Sequence, residues 1–440
     1  MKAAVAFVVS LLVATPAAAA GPSVVRQTLS NGARMQVSEQ SAVPMVIVDV
    51  LLDAGSRLDP PGREGLANLT ADLLTEGTTK RSAEQIHEAA DFIGASLSSQ
   101  AGDDVATLNL RVLRKDLDVG LDLWTDSLLH PTFPQNEVDR RKTAILASIR
   151  ASEDNPAVVA DRAFDKVLFG EAPYGHPTDG WPETVQKLTR KEVVDFYQHW
   201  YRPSRAIITV VGDVKAPEII AALEQRLKGW RDAAAAALAP PPATAPAAQA
   251  KTVEIDKPLT QANIILGHRG VARSNPDWFA LTVMNHILGG GAFSSRLFNS
   301  VRTKGGLAYS VGSSFSSSKE PGSFKVAMQT KKDSARDAIA KVREEIDRLR
   351  SAPVSDEELS EAKQYLTGSF PLRFDSNAKI TGMLAQIEFY GLGNDYLDTF
   401  IERLNAVSAA DVQRVAQQYL HPEEFVLVVV GPSPEGAKRE

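Results

Sequence analysis

The sequence predicts an α+β fold in which one unit is used twice: two duplicated domains, each a mostly antiparallel sheet with helices packed on one face. Three observations carry this reading. LTRKEVVDFYQHWYRPSRAIITVVGD, starting at Leu188, lies over VSAADVQRVAQQYLHPEEFVLVVVGP, starting at Val407, with every position 219 residues from its counterpart. Thr189 then meets Ser408, Glu192 meets Asp411, Pro203 meets Pro422 and Gly212 meets Gly431. A helix cap, a helix, a proline break and an apolar strand therefore recur in one register, which similarity of composition seldom produces. Second, RKDLDVGL at Arg114 lies over KKDSARDA at Lys331 with nearly the same spacing. Third, residues 233–250, AAAAALAPPPATAPAAQA, carry no charge and read as an inter-domain tether. The expected division is a leader at 1–20, an N-terminal domain at 21–232, the tether at 233–250 and a C-terminal domain at 251–440.

Taken in order, residues 24–52 read as a strand, a turn at Asn31-Gly32, a second strand and a strongly apolar third. Asp59, Pro60, Pro61 and Gly62 form a loop, after which Leu66, Leu69, Leu73 and Leu74 mark one face of a helix. Another helix starts near Ser82 with Ala83 and Ile86 inward. Ala106, Leu108, Leu110 and Val112 alternate as a strand, and Leu117, Leu121, Trp124 and Leu128 recur at helical spacing. Pro156 opens a long helix, and the Pro- and Gly-rich run 172–181 is a loop. Thr189-x-x-Glu192 is a capping box for a helix to Trp200, and Ala206–Val211 is a buried strand stopped by Gly212.

The chain is 44% apolar and 23% charged, ordinary globular material with enough length for two cored domains. A net charge of −6 gives no polybasic footprint for nucleic acid. Met1–Ala20, MKAAVAFVVSLLVATPAAAA, has the lysine, the apolar run and the small residues of a secretory signal peptide cut near Ala20. No other stretch is apolar enough for a membrane span, so no membrane insertion is expected after cleavage. The absence of cysteine excludes disulfides and thiolate metal sites. An exported, cysteine-free chain of this size points to a bacterial periplasm.

The most informative stretch is GGGAFSSRLFNSVRTKGGLAYSVGSSF, from Gly289 to Phe315. Gly289, Gly290 and Gly291 read as a loop between an apolar helix ending near Leu288 and a second helix from about Ser294. Gly305 and Gly306 stop that helix, and Leu307, Tyr309 and Val311 then alternate as a strand. Arg302 at a helix end and Tyr309 at a strand start come within reach of one site.

This stretch resembles the second-half signature of the pitrilysin and insulinase metallopeptidases, which include the mitochondrial processing peptidase: a glycine-rich loop followed by R-x6-Y. The resemblance extends over nearly all of the chain after the leader, since that family has the same duplicated architecture. It implies that Tyr309 donates a hydrogen bond to the scissile carbonyl, that Arg302 holds substrate backbone nearby, and that Gly289, Gly290 and Gly291 form the substrate-binding loop. A phenol aimed at a developing oxyanion suits such a transition state.

The same resemblance exposes what is missing. Peptide-cleaving members bind zinc in the first copy through His-x-x-Glu-His on a helix, plus a Glu roughly seventy-six residues on; the paired His share one helix face. Here GLANLTADLLTEGT occupies that helix. Asn68 and Asp72 stand where the two His are expected, Ala71 where the Glu base is expected, and the distant position falls near Ser148. These four are degenerate metal-site positions, not ligands, and this chain is expected to bind no cofactor.

Other histidines offer no substitute. His87 and Asp91, in HEAAD, share a helix face of surface character; His286 falls near the counterpart of Asp72 and reads as a core or interface residue; His176 reads as a structural loop residue. No G-x-S-x-G elbow is present. Family resemblance thus implies the R/Y subunit of a heterodimeric peptidase, acting on short or unfolded peptides, whose partner is a homologous His-x-x-Glu-His chain that carries the zinc. The alternatives are a catalytically inactive binding or scaffold protein of the same fold, and a homodimer using another metal.

Overall fold

Eleven strands form two sheets in a computed structural model that describes residues 21–232 and 249–431. The first sheet holds β1 (Val25–Thr28), β2 (Arg34–Glu39), β3 (Met45–Leu52), β4 (Ser96–Ala101), β5 (Ala106–Leu113) and β6 (Ala206–Gly212) in the order β1-β2-β6-β3-β5-β4. The second holds β7 (Lys251–Asp256), β8 (Gln261–Arg269), β9 (Ala308–Phe315), β10 (Ser323–Lys331) and β11 (Val426–Gly431) in the order β7-β11-β8-β10-β9. Without β1 the two orders are identical. In each sheet one pair is parallel, β2 with β6 and β7 with β11, and the rest are antiparallel.

The repeat holds at atomic detail. Thr189 and Ser408 each cap their helix, Arg190–Trp200 and Ala409–Tyr419, with reciprocal side-chain bonds to Glu192 and Asp411. Gly212 and Gly431 end the two equivalent strands with φ of 148° and 145°. A Cβ on Gly212 would lie 2.2 Å from the Met45 carbonyl oxygen, so the strand end admits only glycine. The 3₁₀ turns Arg114–Asp116 and Lys332–Ser334 likewise precede equivalent helices, Leu117–Leu129 and Ala335–Ser351. The expected leader, 1–20, and most of the expected tether, 233–248, lie outside the described residues.

Each sheet packs one face on helices of its own half. Val48, Val50, Leu108, Leu110 and Ile208 meet Leu69, Leu121, Trp124 and Phe196 in the first; Ile264, Leu266, Phe324 and Val326 meet Val342, Ile346, Leu404 and Val412 in the second. The opposite faces are covered by exchange. Helix Pro156–Phe169, capped by Asn155, lays Ala160, Phe164 and Leu168 on Ile265, Val426 and Val428 of the second sheet. Helix Asn377–Phe389 returns Ile380, Leu384 and Ala385 to Leu51, Ile207 and Val211 of the first. Burying a side chain such as Phe164, fully enclosed, contributes roughly 1.5–3 kcal/mol to holding the halves together.

A polar clasp adds to this. The loop between β9 and β10 reaches into the first half, where Lys319 Nζ donates to Asp53 Oδ2 at 2.7 Å and the Lys319 amide donates to Asp104 Oδ2 at 2.8 Å. Tyr174 donates its hydroxyl to Asp104 Oδ1 at 2.7 Å, and Tyr390 donates to the Ser317 carbonyl at 3.0 Å. The strand carrying Tyr309 is thereby tied at its far end to both halves. No helix among the described residues is long and apolar enough to cross a membrane.

Candidate functional site

The apolar helix Trp278–Asn285 does not give way to a loop at the glycines. It continues as a wide π turn over His286–Gly290, with Gly291 as its cap. The sequence expectation of a glycine loop is corrected here for a packing reason: a Cβ on Gly289 would lie 2.5 Å from the Ser313 amide, so glycine lets the helical backbone rest on β9. Asn285 fixes the contact, donating Nδ2 to the Ser313 carbonyl at 3.1 Å and accepting from Ser313 Oγ at 2.7 Å. The chain then turns sharply at Ala292, whose φ is 46°, into a short 3₁₀ turn and a second π segment, Phe298–Lys304. Wide helical turns of this kind recur at functional sites. Gly306, with φ of 62°, leads out into β9.

This geometry brings Arg302 and Tyr309 together. The Arg302 guanidinium carbon is 4.7 Å from the centre of the Phe298 ring and 5.4 Å from that of Tyr309, within cation–π range of both. Tyr309 is the extra residue of a β-bulge, because Ser310 faces Gln329 and Ala308 faces Thr330. The bulge also corrects the expected alternation: Ala308 and Val311 are buried, whereas Tyr309 is 68% exposed. Among the described residues, neither the Arg302 guanidinium nor the Tyr309 hydroxyl has a hydrogen-bonding or ion-pair partner. Both polar tips are free to receive something from outside.

The four positions expected to be a degenerate metal site make a different picture. Helix Leu66–Asp72 buries Ala71 completely and leaves Asn68 half-buried. Ser148 is exposed on helix Gln135–Ser152. The side chain of that helix which reaches Asp72 is Arg141, two turns earlier, with Nε 3.6 Å from Asp72 Oδ2 and Nη2 3.4 Å from Glu76 Oε1. Burial raises the Asp72 carboxyl above its ordinary range, opposed by Arg141 and reinforced by Glu76. Arg140 pairs with the same Glu76 at 2.7 Å, and His87 approaches it at 3.8 Å. Sequence reasoning overlooked Arg141; the signal was a doubled arginine facing two acids one helical turn apart.

The remaining histidines do not converge. His286 is buried and stacks on Tyr365 at 4.9 Å, and desolvation lowers its pKa. His176 lies in the loop before Trp181, 3.1 Å from the Pro177 carbonyl. It helps line a cavity of 980 Å³ between helix Pro156–Phe169 and the second sheet, where Lys325 neutralises Asp161 and Asp165 at 2.7 and 2.9 Å. Among the described residues no group of three or more His, Asp and Glu is placed to hold a metal ion.

Residues 35–179 match the model of the insulinase family, peptidase family M16, and residues 187–366 match that of the peptidase M16 inactive domain. An uncharacterized zinc protease of Streptomyces coelicolor is 31% identical over 92% of this chain and 89% of its own length. The chain belongs to the M16 family. An uncharacterized zinc protease of Bacillus subtilis is 27% identical over 93% of this chain and 98% of its own. Among solved structures, a peptidase M16 inactive domain from Pseudomonas fluorescens superposes with a TM-score of 0.86 at 29% identity, covering 93% of this chain and 98% of that one. A Helicobacter pylori protease shares the fold with the same TM-score at 21% identity, covering 93% of this chain and all of that one.

This M16 chain has no His-x-x-Glu-His, and the side chains at the four positions where the resemblance leads one to expect the site do not fit a metal. Asn68 is a neutral amide, Ala71 has no donor, Ser148 faces solvent, and the Asp72 carboxylate already faces a guanidinium. A fixed positive charge beside the one remaining carboxylate opposes a second cation.

Proposed function

We propose that this chain is the R/Y subunit of a two-chain periplasmic peptidase, in which a homologous His-x-x-Glu-His partner carries the zinc. The observation behind this reading is the pairing of opposite conditions in one molecule. At the positions expected for the metal, Asn68, Ala71 and Ser148 carry no charge and Asp72 faces Arg141, while Arg302 and Tyr309 lie together with their donors unspent. In this reading the glycine-supported π turn, Gly289 to Gly291, shapes the substrate contact. Arg302 grips the peptide, and the Tyr309 hydroxyl donates to the scissile carbonyl as negative charge develops on it. Peptide substrates are short or unfolded, and residues 233–250 tether two domains spanning 21–232 and 251–440. The zinc-protease names of the relatives and the signal-like segment Met1–Ala20 support the class and the location.

A scaffold without turnover is the second reading, favoured by the replacement of all four metal positions. The open Tyr309 hydroxyl weighs against it, since a scaffold has no use for an unpaired phenol there. Affinity purification of the tagged chain from native envelopes separates the two. The peptidase reading expects a co-purifying M16 chain with His-x-x-Glu-His, zinc in the complex, and cleavage of denatured peptides. A chain that purifies alone, or with a partner lacking the motif, overturns it.

A further inference from the structure

Residues 278–319, which contain the whole R/Y segment, include no Asp or Glu, although the chain as a whole carries a net charge of −6. Within that span Arg296 is consumed by a bidentate pair with Glu358 at 2.6 and 2.8 Å. Among the described residues Arg302 has no such neighbour. Its guanidinium carbon lies 4.7 Å from the centre of the Phe298 ring and 5.4 Å from that of Tyr309, and among the described residues its N–H groups have no hydrogen-bond or ion-pair partner. Beside it Phe298 meets Phe293 edge-on at 4.8 Å, and Phe293 is 75% exposed. An unneutralised guanidinium next to an exposed aromatic step is suited to receive a planar anion carried beside an apolar group.

We propose that Arg302, Phe298 and Phe293 form a carboxylate-binding subsite that selects peptides bearing a carboxylate next to an apolar side chain. This rests on the peptide-binding reading of the same site and deepens it by naming the substrate class. The anion takes the open fork of Arg302 in a bidentate contact, and the neighbouring apolar side chain lies on Phe293 and Phe298. Tyr309 keeps its hydroxyl for the carbonyl. The carboxylate has two sources in a peptide, an acidic side chain or the free C-terminus.

Fluorescence anisotropy with the intact chain at low salt tests this with two pairs of fluorescein-labelled probes. One pair is Gly-Gly-Phe-Glu-Gly-Gly-amide and its Gln counterpart; the other is Gly-Gly-Phe as free acid and as amide. The subsite requires the charged member of at least one pair to bind about tenfold more tightly than the neutral one. Preference within the first pair assigns the side chain, and within the second the C-terminus. Arg302→Gln abolishes the preference, Arg302→Lys retains only part of it, and Phe298→Leu weakens both members; circular dichroism verifies that each variant is folded. Equal affinities within both pairs, a preference surviving Arg302→Gln, or no binding of any probe overturns the subsite. Turnover by the chain with its partner is read separately: intact turnover of the neutral probes beside equal affinities removes the subsite and leaves the peptidase reading standing.

Discussion

The guanidinium of Arg141 lies 3.6 Å from the carboxylate of Asp72 and 3.4 Å from that of Glu76. In the reading proposed above this internal cation stands where a metal would, so more than donors is missing from the position. Restoring donors alone is therefore expected to give poor metal binding. The variant Asn68→His, Ala71→Glu, Asp72→His, Ser148→Glu should bind zinc at least about tenfold more weakly than the same variant with Arg141→Gln added, because the added change removes a like charge from the site. Equilibrium dialysis with zinc analysis checks this. Equal affinities would show that Arg141 does not guard the position.

Tyr309 makes no hydrogen bond within the described chain, so its hydroxyl is dispensable for folding. Tyr309→Phe should leave the melting temperature and partner assembly unchanged while lowering peptide turnover in the complex by about 10²–10³, the cost of losing one oxyanion donor. Steady-state kinetics on the co-purified complex gives the answer. Unchanged turnover would remove the catalytic role and favour the scaffold reading.

The Asp104 clasp predicts a stability effect at a distance from the candidate site. Asp104→Ala strands the Tyr174 hydroxyl and the Lys319 amide in a mostly buried junction. The cost should be about 2–4 kcal/mol, read as a lower denaturation midpoint in urea. A change below about 0.5 kcal/mol would mean that the exchanged helices alone hold the halves together.

His268 sets an acid limit. It is fully buried against Phe324 and Phe425, Nε2 accepts the His421 amide at 3.0 Å, and Nδ1 faces the Arg269 carbonyl at 2.7 Å. The ring is therefore neutral with its proton on Nδ1, and burial pushes its pKa down to about 4 from an ordinary 6.5. Between those values the unfolded chain binds the extra proton. The stability due to this group is fully present above about pH 6.5 and is lost as pH falls towards 4, by as much as ~3 kcal/mol. Melting temperatures across that window should fall in the parent chain and flatten in His268→Gln, which keeps an acceptor for the His421 amide. Parallel curves would contradict this.

Much of the fold was legible because its signals are local. The Thr189 and Ser408 capping boxes, the Gly212 and Gly431 strand ends and the apolar alternation of β5 each announce themselves within a few residues. What escaped is non-local or polar. Strand β4, SLSSQA, lies at a sheet edge with its side chains half-exposed or exposed, so no apolar alternation marks it. The exchange of helices Pro156–Phe169 and Asn377–Phe389 depends on which sheet each meets, which periodicity does not encode. At the site, R-x6-Y was readable through the family resemblance, not from spacing alone. The bulge that turns Tyr309 outward and the π turns that replace the glycine loop follow from strand register and close backbone packing.

The most direct test of the division of labour uses the isolated chain, purified without any other M16 protein, assayed for bound zinc and for hydrolysis of denatured peptides. The account predicts substoichiometric zinc and no cleavage until a His-x-x-Glu-His partner is added. Stoichiometric metal together with unaided hydrolysis that survives rigorous removal of other peptidases would contradict it.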